Sequence, residues 1–573
     1  MTLEEHYKII SNDYADLFIE YNRNPKLLEI FPNSTPHLIN TRFAIAYVPS
    51  NQLNNTFISQ FSYSAIPNLY GLTSQESLEA SGVRKLRRIP GFNLLGKDVL
   101  VGIIDTGIDY RNPIFQHPDG SSKIQYLWDQ ALDSNNVPER FFYGTEFTKN
   151  QIDHALTNNN PLSVVPSTDE NGHGTMLAGI MVGSEDVKNN FYGVAPEADL
   201  IVVKLKQAKQ NLKDFYIIPP DTPCYQENDI MWGIEYILQR AEELKRPCAV
   251  CIGLGSSQGG HDGRGALSNL LSIYSGVPGF IICLPAGNEG DKKRHYSNFI
   301  TPSDAPKAFE LNIGEQELGF SMEFWGNPPN IYSIDISSPT GEFIPSITKS
   351  LKSHQLVSFL FERTLIDVDY QLIESRTSAE LILLRFHNPT PGIWRFHIYS
   401  KGNTMGAYNI WLPMNGFISK DTYFLQPDPY TTITSPGDGT APITVTAYNP
   451  DNDSLFLGAS KGYTRDGIIK PELAAPGVNI VTPTLGNGFI YSSGTGIAAA
   501  HVAGISAIML EWGIIRGFYP DMDTEVIKKY LIRGAKRSNT LQYPNKDWGY
   551  GIVDIYNVFN VLRTDFPSVP NQY

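Results

Sequence analysis

The sequence predicts an α/β fold: a parallel sheet flanked by helices, preceded by a small α+β unit and interrupted by an all-β region. Three continuous apolar runs, at 99–104, 247–255 and 279–284, have the pattern of strands buried on both faces of a parallel sheet. Short apolar stretches separated by turn sequences follow between about 300 and 433. A run of small residues from Gly494 to Gly504 predicts a tightly packed central helix.

The length of 573 residues is too great for one compact core, so several units are expected. The first contains strand-like segments at 38–48 and 57–66, and Leu17, Ile19 and Tyr21 share one face of an earlier one. Interleaved strands and short helices predict an α+β unit, with a junction between Pro67 and Ser74. The predicted units are 1–66, 67–300, 301–433 and 434–573, of which the second and fourth form one domain.

The third unit is predicted to be all-β. Phe320, Met322 and Phe324 alternate with Ser321, Glu323 and Trp325. Further strands are expected at 331–336, 381–386, 393–399 and 407–412. Sequences such as Pro-Thr-Pro-Gly separate these strands, and little helix is indicated. This pattern predicts a β-sandwich or jelly roll inserted into the parallel-sheet domain.

Three polar residues follow predicted strands or stand between glycines. Asp105 ends the first apolar run, at the edge where α/β folds place functional groups. His173 follows about 70 residues later, between two glycines that permit a close backbone approach. Asn288 lies in a glycine-rich turn after the third run, where its amide could stabilise an oxyanion or simply suit a left-handed backbone. Taken singly, each also fits an ordinary structural role.

The helix beginning near Gly494 carries the most specific motif. Alone, it predicts only a core helix, but it resembles the nucleophile motif Gly-Thr-Ser-Met-Ala-Ala-Pro-His of the subtilisin-like serine proteases. Gly496 stands in place of the serine, and Ala500 in place of the proline. The positions that fit the motif are Gly494, Thr495, Ala498, Ala499, His501, Val502, Ala503 and Gly504.

The resemblance covers the chain apart from the inserted region, because the Asp105, His173 and Asn288 segments match the family in the same order. It implies that Asp105 orients His173 as the base and that Asn288 stabilises the oxyanion. It implies a substrate cleft that includes Gly253, Leu254, Gly255, Ala286 and Gly287. It also implies that residues 1–66 are a propeptide that occupies the cleft of its own domain. No cofactor or metal is expected.

Gly496 has no side chain, so the attacking oxygen of the triad is missing. Ser492 and Ser493 precede the helix and are not expected to replace it, and His501 is expected to serve packing. In subtilisin, loss of the serine lowers turnover roughly 10⁶-fold. Water activated by His173 would therefore leave only a trace of hydrolysis.

Composition limits the partners. Acidic residues outnumber basic ones, 59 to 45, and the net charge of −14 argues against nucleic acid and anionic membranes. The N-terminus does not resemble a signal peptide, so synthesis in the cytoplasm is expected, and no run approaches the ~20 apolar residues of a membrane span. The cysteines are expected to be buried thiols in a reducing interior, and they are Cys224, Cys248, Cys251 and Cys283.

A narrower resemblance is to the clostridial Csp spore-germination proteases. It rests on the propeptide-like unit, the inserted jelly roll, the lack of a secretion signal and the Ala-Ala-Ala-His sequence at 498–501. That group includes members that have lost triad residues and that control a cortex-lytic enzyme precursor in response to bile salts or amino acids. The resemblance implies incorporation into the spore, a related protease or cortex hydrolase precursor as partner, and a small-molecule germinant as ligand.

Three hypotheses follow. The first is a natural pseudoprotease that takes part in germination signalling. The second is an active serine endopeptidase whose serine has been replaced by Gly496 in this sequence. The third is a purely structural spore protein.

Overall fold

A computed structural model describes residues 3–31, 34, 36–53, 61–73, 93–134, 136–345 and 352–565. Among these residues, nine strands form a central sheet that contains the predicted apolar runs. Neighbouring strands are parallel except for the antiparallel pair at each edge. In spatial order the strands are Ser454–Leu455, Ile443–Asn449, Phe280–Pro285, Cys248–Ile252, Leu100–Asp105, Asp199–Lys204, Ile124–Asp129 and Thr145–Thr148, with Leu473–Pro476 paired to Ile443–Asn449.

Helices cover both faces of this sheet, so each face has its own apolar core. His173–Val182 and Thr495–Leu510 pack against the face that carries Val101 and Ile103. Glu227–Leu244 and Ala266–Tyr274 pack against the other face. The other helices of the central-sheet domain, among the described residues, are Lys149–Thr157, Gln210–Tyr216, Thr524–Gly534 and Ile555–Asp565.

The central helix Thr495–Leu510 is buried along its entire length. Its small residues allow close packing: a Cβ added at Gly504 would lie 2.5 Å from the Cβ of Val194. The expectation about apolar runs needs a correction, because Thr495–Ile515 is long and apolar enough to cross a membrane. Its most apolar window is 94% buried inside the structure, which is the behaviour of a core helix.

The N-terminal unit, residues 3–66, packs a three-stranded antiparallel sheet against the central-sheet domain. The prediction of a strand over 38–48 is wrong in part, because the Asn40 side chain accepts from the backbone of Arg42 and Phe43 and turns the chain. Residues 57–60 of another predicted strand lie outside the described residues. The remainder of that strand is wrong, since Ser62 has a φ of 85° and a 3₁₀ turn follows. The elements in the described part of this unit are Leu3–Ile10, Tyr14–Glu20, His37–Leu38 and Phe43–Pro49, with 3₁₀ turns at Pro25–Glu29, Ser50–Gln52 and Tyr63–Ala65.

A buried ion pair joins the N-terminal unit to the central-sheet domain. Lys209 donates to Asp16, and both side chains are almost fully buried. Gln226 and Asn228 donate to the second oxygen of Asp16 at 2.8 and 2.9 Å. Removing one partner of a buried pair destabilises a protein by roughly 3–5 kcal/mol, because the other charge stays desolvated. The pair therefore fixes the position of the unit on the domain.

Between residues 295 and 424, two antiparallel sheets enclose a separate core. The four strands predicted from 331 to 412 are confirmed to within two residues at each end. In the described residues, the first sheet has His295–Ile300, Gly406–Trp411, Gly319–Gly326, Glu380–His387, Leu365–Gln371 and Lys352–Ser358. The second has Phe343–Ile344, Ile331–Ser337, Gly392–Lys401, Lys307–Ile313 and Tyr423–Phe424. Below, these two sheets are called the β region.

The β region packs on both other parts of the chain. The strand Gly319–Gly326 is buried on both faces, because Trp325 lies in a second apolar cluster with Leu17 and Ile19 of the N-terminal unit. Glu323 of the same strand accepts from Tyr63 at 2.7 Å and from the backbone of Gly259 at 2.9 Å. One carboxylate thus joins all three parts of the chain.

The two ends of the β region lie beside each other. Asp428 donates its backbone N–H to the carbonyl of His295 at 2.8 Å. Trp411 stacks between the imidazoles of His261 and His295, with ring centroids 4.1 and 4.8 Å apart. Because His261 belongs to the central-sheet domain, this stack holds the β region against it.

Short hairpins and edge pairs complete the fold. Ile480–Pro483 and Phe489–Ser492 form a hairpin immediately before the central helix. Leu69–Leu72, Leu254–Gly255 and Tyr225–Gln226 form a small antiparallel sheet at one end of the central sheet. The other short turns are 3₁₀ turns at Pro113–Phe115, Pro161–Ser163 and Leu485–Asn487, and a π-helical turn at Glu511–Ile515.

Protonation of His501 is expected to weaken the fold in acid. Burial lowers the pKa of His501 to about 3, whereas a histidine in an unfolded chain has a pKa of about 6.5. The unfolded chain therefore binds more protons between these values. The free energy of unfolding should fall as the pH is lowered from about 6.5, by up to ~1.4 kcal/mol per pH unit. Urea unfolding over this pH range, compared between the unchanged protein and His501→Gln, measures the effect, and the same pH dependence in both would contradict it.

Candidate active site

Asp105 and His173 lie together at the C-terminal edge of the central sheet. Asp105 ends the strand Leu100–Asp105, and His173 is the first residue of the helix His173–Val182. His173 Nδ1 and Asp105 Oδ1 are 2.7 Å apart, and both side chains are buried. The backbone N–H of Thr106 also donates to Asp105 Oδ1, at 2.8 Å. The arrangement fixes the orientation of the imidazole, as a base held by a carboxylate requires.

Asp169 positions this pair and was missed by the sequence prediction. Its Oδ1 accepts from Gly172 N and Thr106 Oγ1 at 2.8 Å each, and its Oδ2 accepts from Thr175 Oγ1 at 2.7 Å. Asp169 therefore caps the helix that begins at His173 and ties it to the loop after Asp105. No local pattern marked it, because Asp169 lies four residues before His173 and the N-cap position itself is Gly172.

Gly253 lies against the Asp105–His173 pair. A Cβ at this position would be 2.6 Å from Asp105 Oδ2 and 3.0 Å from His173 Cε1. It would also be 2.3 Å from Leu177, so the side chains could not make room without moving. Only glycine fits here with the pair in its present place.

The start of the central helix faces a second group of predicted site residues. Asn288 Oδ1 accepts from the backbone N–H and the hydroxyl of Thr495, at 3.2 and 3.1 Å. Gly287 donates its N–H to the same hydroxyl at 3.1 Å. Thr495 thereby holds the glycine-rich turn of Asn288 beside the first turn of the helix. The carbonyl of Ala286 accepts from Thr434 N at 2.9 Å, which supports this turn from behind.

Gly496 lies in the first turn of this helix and contributes only its backbone. Its N–H donates to the carbonyl oxygen of Thr73 at 2.9 Å. The two nearby serines are engaged elsewhere: Ser492 Oγ lies 3.2 Å from Thr482 Oγ1, and Ser493 Oγ accepts from Asn479 N at 3.4 Å.

A segment of the chain itself lies in the cleft predicted at Gly253–Gly255. Leu72 and Gly71 pair antiparallel with Leu254 and Gly255, and the other edge of the same segment pairs with Tyr225–Gln226. Thr73 then donates its hydroxyl to the Gly253 carbonyl at 2.6 Å. We refer to Leu69–Thr73 as the cleft segment. Its last described carbonyl is the one that meets Gly496 N–H, where an oxyanion would develop during acyl transfer.

The cysteines are buried, and Cys224, Cys248, Cys251 and Cys283 are all free thiols. Burial raises the pKa of Cys248 and of Cys283 to about 12. These thiols are therefore protonated at neutral pH and are poor nucleophiles. Within the described residues, no cluster of three or more His, Cys, Asp or Glu side chains has the geometry of a metal site.

Known proteins share the sequence pattern and the fold of this chain. The model of the subtilase family, peptidase S8, matches residues 96–304 and 374–551. The solved structure of the CspB protease of Clostridium perfringens is similar, with a TM-score of 0.75 and 31% sequence identity, covering 85% of this chain and 97% of that one.

Curated relatives are more distant. Subtilisin-like protease SBT3 of Solanum lycopersicum is 24% identical over 492 residues, which are 79% of this chain and 59% of that protein. Subtilisin of Bacillus sp. (strain TA39) is 27% identical over 195 residues, 34% of this chain and 35% of that protein. The chain thus spans less than two thirds of the length of either relative. Because the family model matches more than half of the chain, including the segments of Asp105, His173, Asn288 and Gly496, the chain belongs to the subtilase family.

Proposed function

We propose that this chain is a proteolytically silent subtilase that regulates spore germination, acting on a related protease or on the precursor of a cortex-lytic enzyme. The observation that carries the proposal is Gly496, which occupies the position of the nucleophile and offers no oxygen. The bond that would be attacked already lies nearby, since the Thr73 carbonyl accepts from Gly496 N–H at 2.9 Å. The base His173, the carboxylate of Asp105 and the bound carbonyl of Thr73 are present, but the attacking hydroxyl that would begin the reaction is missing.

The N-terminal unit fits the role of a propeptide that stays attached. Its link to the domain is the cleft segment, which pairs with strands on both sides. A covalently attached segment has a very high effective concentration, so even modest contacts keep it in place. With the cleft filled, the outer surfaces remain for a partner protein. This favours a binding role over residual hydrolysis.

The site of action follows from the same proposal. The protein would be made in the cytoplasm and incorporated into the spore, where a small-molecule germinant could act on it. Spores that lack the protein should respond differently to germinants. An unchanged response would instead favour a purely structural role.

The alternative is an active serine endopeptidase whose natural sequence has serine at position 496. The observation in its favour is the intact surroundings: His173 and Asp105 remain 2.7 Å apart, and Asn288 remains beside the helix start. The similarity to the CspB protease of Clostridium perfringens is compatible with either function. The codon for residue 496 in the native gene decides between them.

The purified protein is expected to remain uncleaved and to have no hydrolase activity. Gly496 cannot be acylated, so the N-terminal unit should not be released and the mass should remain 63.9 kDa. A fluorophosphonate probe should label no serine. Intact mass spectrometry and in-gel fluorescence measure these outcomes, and stoichiometric labelling of any serine would contradict the first hypothesis.

The variant Gly496→Ser is expected to cut its own chain after Thr73. The backbone of Gly496 is helical, a conformation that serine adopts readily, and the Thr73 carbonyl is already bound at that N–H. Mass spectrometry should find a new fragment that ends at Thr73. Gly496→Ala is the matched control because it adds a Cβ without an oxygen, and Gly496→Ser with His173→Ala removes the base. Failure of Gly496→Ser to cut in a folded protein would mean that the site has lost more than its serine.

In the Gly496→Ser background, the further change Gly253→Ala is expected to slow this cut by ~10²-fold, since a displacement of about 1 Å in a catalytic group has effects of that size. The added methyl would lie 2.6 Å from Asp105 Oδ2 and must push the Asp105–His173 pair apart. Gly276→Ala is the matched control, because its Cβ would have no neighbour closer than 3.7 Å. The rate of fragment formation measures both, and equal rates in the two variants would refute the packing argument.

A further inference from the structure

We propose that the protein binds a small organic anion with an apolar body in a cavity where its three parts meet. The cavity has a volume of about 600 Å³ and is lined by the N-terminal unit, the central-sheet domain and the β region. Ligand sites in proteins typically have volumes of about 300–1,000 Å³. None of Asp105, His173, Asn288 and Gly496 lines it. The cavity is therefore separate from the candidate active site.

Three guanidinium groups line the cavity, one from each part of the chain: Arg42, Arg264 and Arg376. One carboxylate, Glu20, accompanies them. Arg42 donates twice to Glu20, at 2.9 and 2.6 Å, and this pair is part-buried. Guanidinium groups stay protonated at all physiological pH values, so three positive charges face one negative charge. The lining thus has an excess of positive charge that a bound anion would neutralise.

Two of these side chains keep donors for a ligand. A guanidinium has five N–H donors. Hydrogen bonds to the described residues use one donor of Arg264, to the carbonyl of Thr377 at 3.3 Å. They use two of Arg376, to the carbonyl of Ser64 at 2.8 Å and to Glu20 at 3.5 Å. The remaining donors suit the two oxygens of a carboxylate, which guanidinium groups bind in a bidentate manner.

Apolar side chains of the N-terminal unit form another part of the lining. Phe31 and Phe61 are in contact, with ring centroids 4.8 Å apart, and Ile30 lies beside them in the lining. The guanidinium of Arg376 lies 5.8 Å from the ring of Phe18, so the charged and aromatic parts are adjacent. Inorganic phosphate could use only the guanidinium groups. An apolar carboxylate would use both parts of the lining, which is why the cavity favours that class.

Binding there would couple the three parts of the chain. The walls belong to segments that are distant in sequence, around residues 18–65, 264–269 and 375–376. A ligand that contacts all three stabilises the arrangement in which they are packed together. The cavity is thus placed to convert the presence of a small anion into a tighter association of the N-terminal unit with the other two parts.

Isothermal titration of the full-length protein tests the proposal with 1-naphthylacetate, its uncharged analogue 1-naphthylacetamide, and inorganic phosphate. We expect saturable binding of one naphthylacetate per chain and none of the amide. Arg264→Gln and Arg376→Gln should each weaken binding by about tenfold, the loss of one charge-assisted hydrogen bond. Arg395→Gln is the matched control, because Arg395 is an exposed arginine of the β region that pairs with Glu310 and lies outside the cavity lining.

Arg264→Gln is the decisive variant, because the Arg264 side chain is exposed and its loss should leave the fold intact. Thermal unfolding without ligand checks this for both variants, since Arg376 also holds the carbonyl of Ser64. The proposal is overturned by the absence of saturable naphthylacetate binding, by equal binding of the amide, or by equally tight binding of phosphate. Unchanged affinity in a folded Arg264→Gln protein would overturn it as well.

Discussion

The cleft segment Leu69–Thr73 is the constraint on which the rest of the arrangement depends. It pairs with one strand on each side and ends with the Thr73 carbonyl on the N–H of Gly496. Because the segment directly follows the N-terminal unit, its position fixes where that unit can dock. The buried pair of Asp16 and Lys209 then holds the unit from the other side. A peptide in this cleft would have to displace the backbone pairing of the cleft segment.

The persistence of the Asp105–His173 pair has a structural reason as well as a chemical one. Asp169 binds Thr106, the backbone of Gly172 and the hydroxyl of Thr175, so the loop after Asp105 and the helix of His173 are built as one unit. A buried polar group that loses its partner carries a free-energy penalty of about 1–3 kcal/mol. The geometry is therefore maintained by folding, whether or not catalysis follows. The intact Asp105–His173 pair is therefore compatible with the loss of the nucleophile at Gly496.

The N-terminal unit is packed between the other two parts. One face of its sheet contributes Phe43 and Ile45 to the core of the central-sheet domain, and the other contributes Leu17 and Ile19 to a cluster with Trp325 of the β region. Burial of both faces explains why Tyr14–Glu20 carries apolar residues at successive positions. It also places the edge of this unit at the cavity that contains the three arginines. A ligand in that cavity and the cleft segment would act on the same docked unit from different sides.

The sequence by itself determined the parallel strands, the central helix and the positions of the candidate site residues. Continuous apolar runs mark strands buried on both faces, so Leu100–Asp105 could be predicted from local pattern alone. Asp105, His173, Asn288 and Gly496 could be located because a family motif preserves residue types at fixed places along the chain. The strands of the β region could be bounded for a similar reason, since turn residues punctuate them.

Only the tertiary structure decided the features that join distant segments. The 3₁₀ turn at Tyr63–Ala65 replaces a predicted strand because the Tyr63 hydroxyl reaches Glu323, a contact between residues 260 positions apart. The face of Gly319–Gly326 that carries Trp325 is covered by the N-terminal unit, which the alternation along this strand did not indicate. The meeting of Thr73 with Gly496, and of three arginines in one cavity, has no local signal. The periodicity of apolar residues indicates which side of a strand or helix is buried. Which other segment buries that side depends on the tertiary contacts between parts of the chain that are distant in sequence.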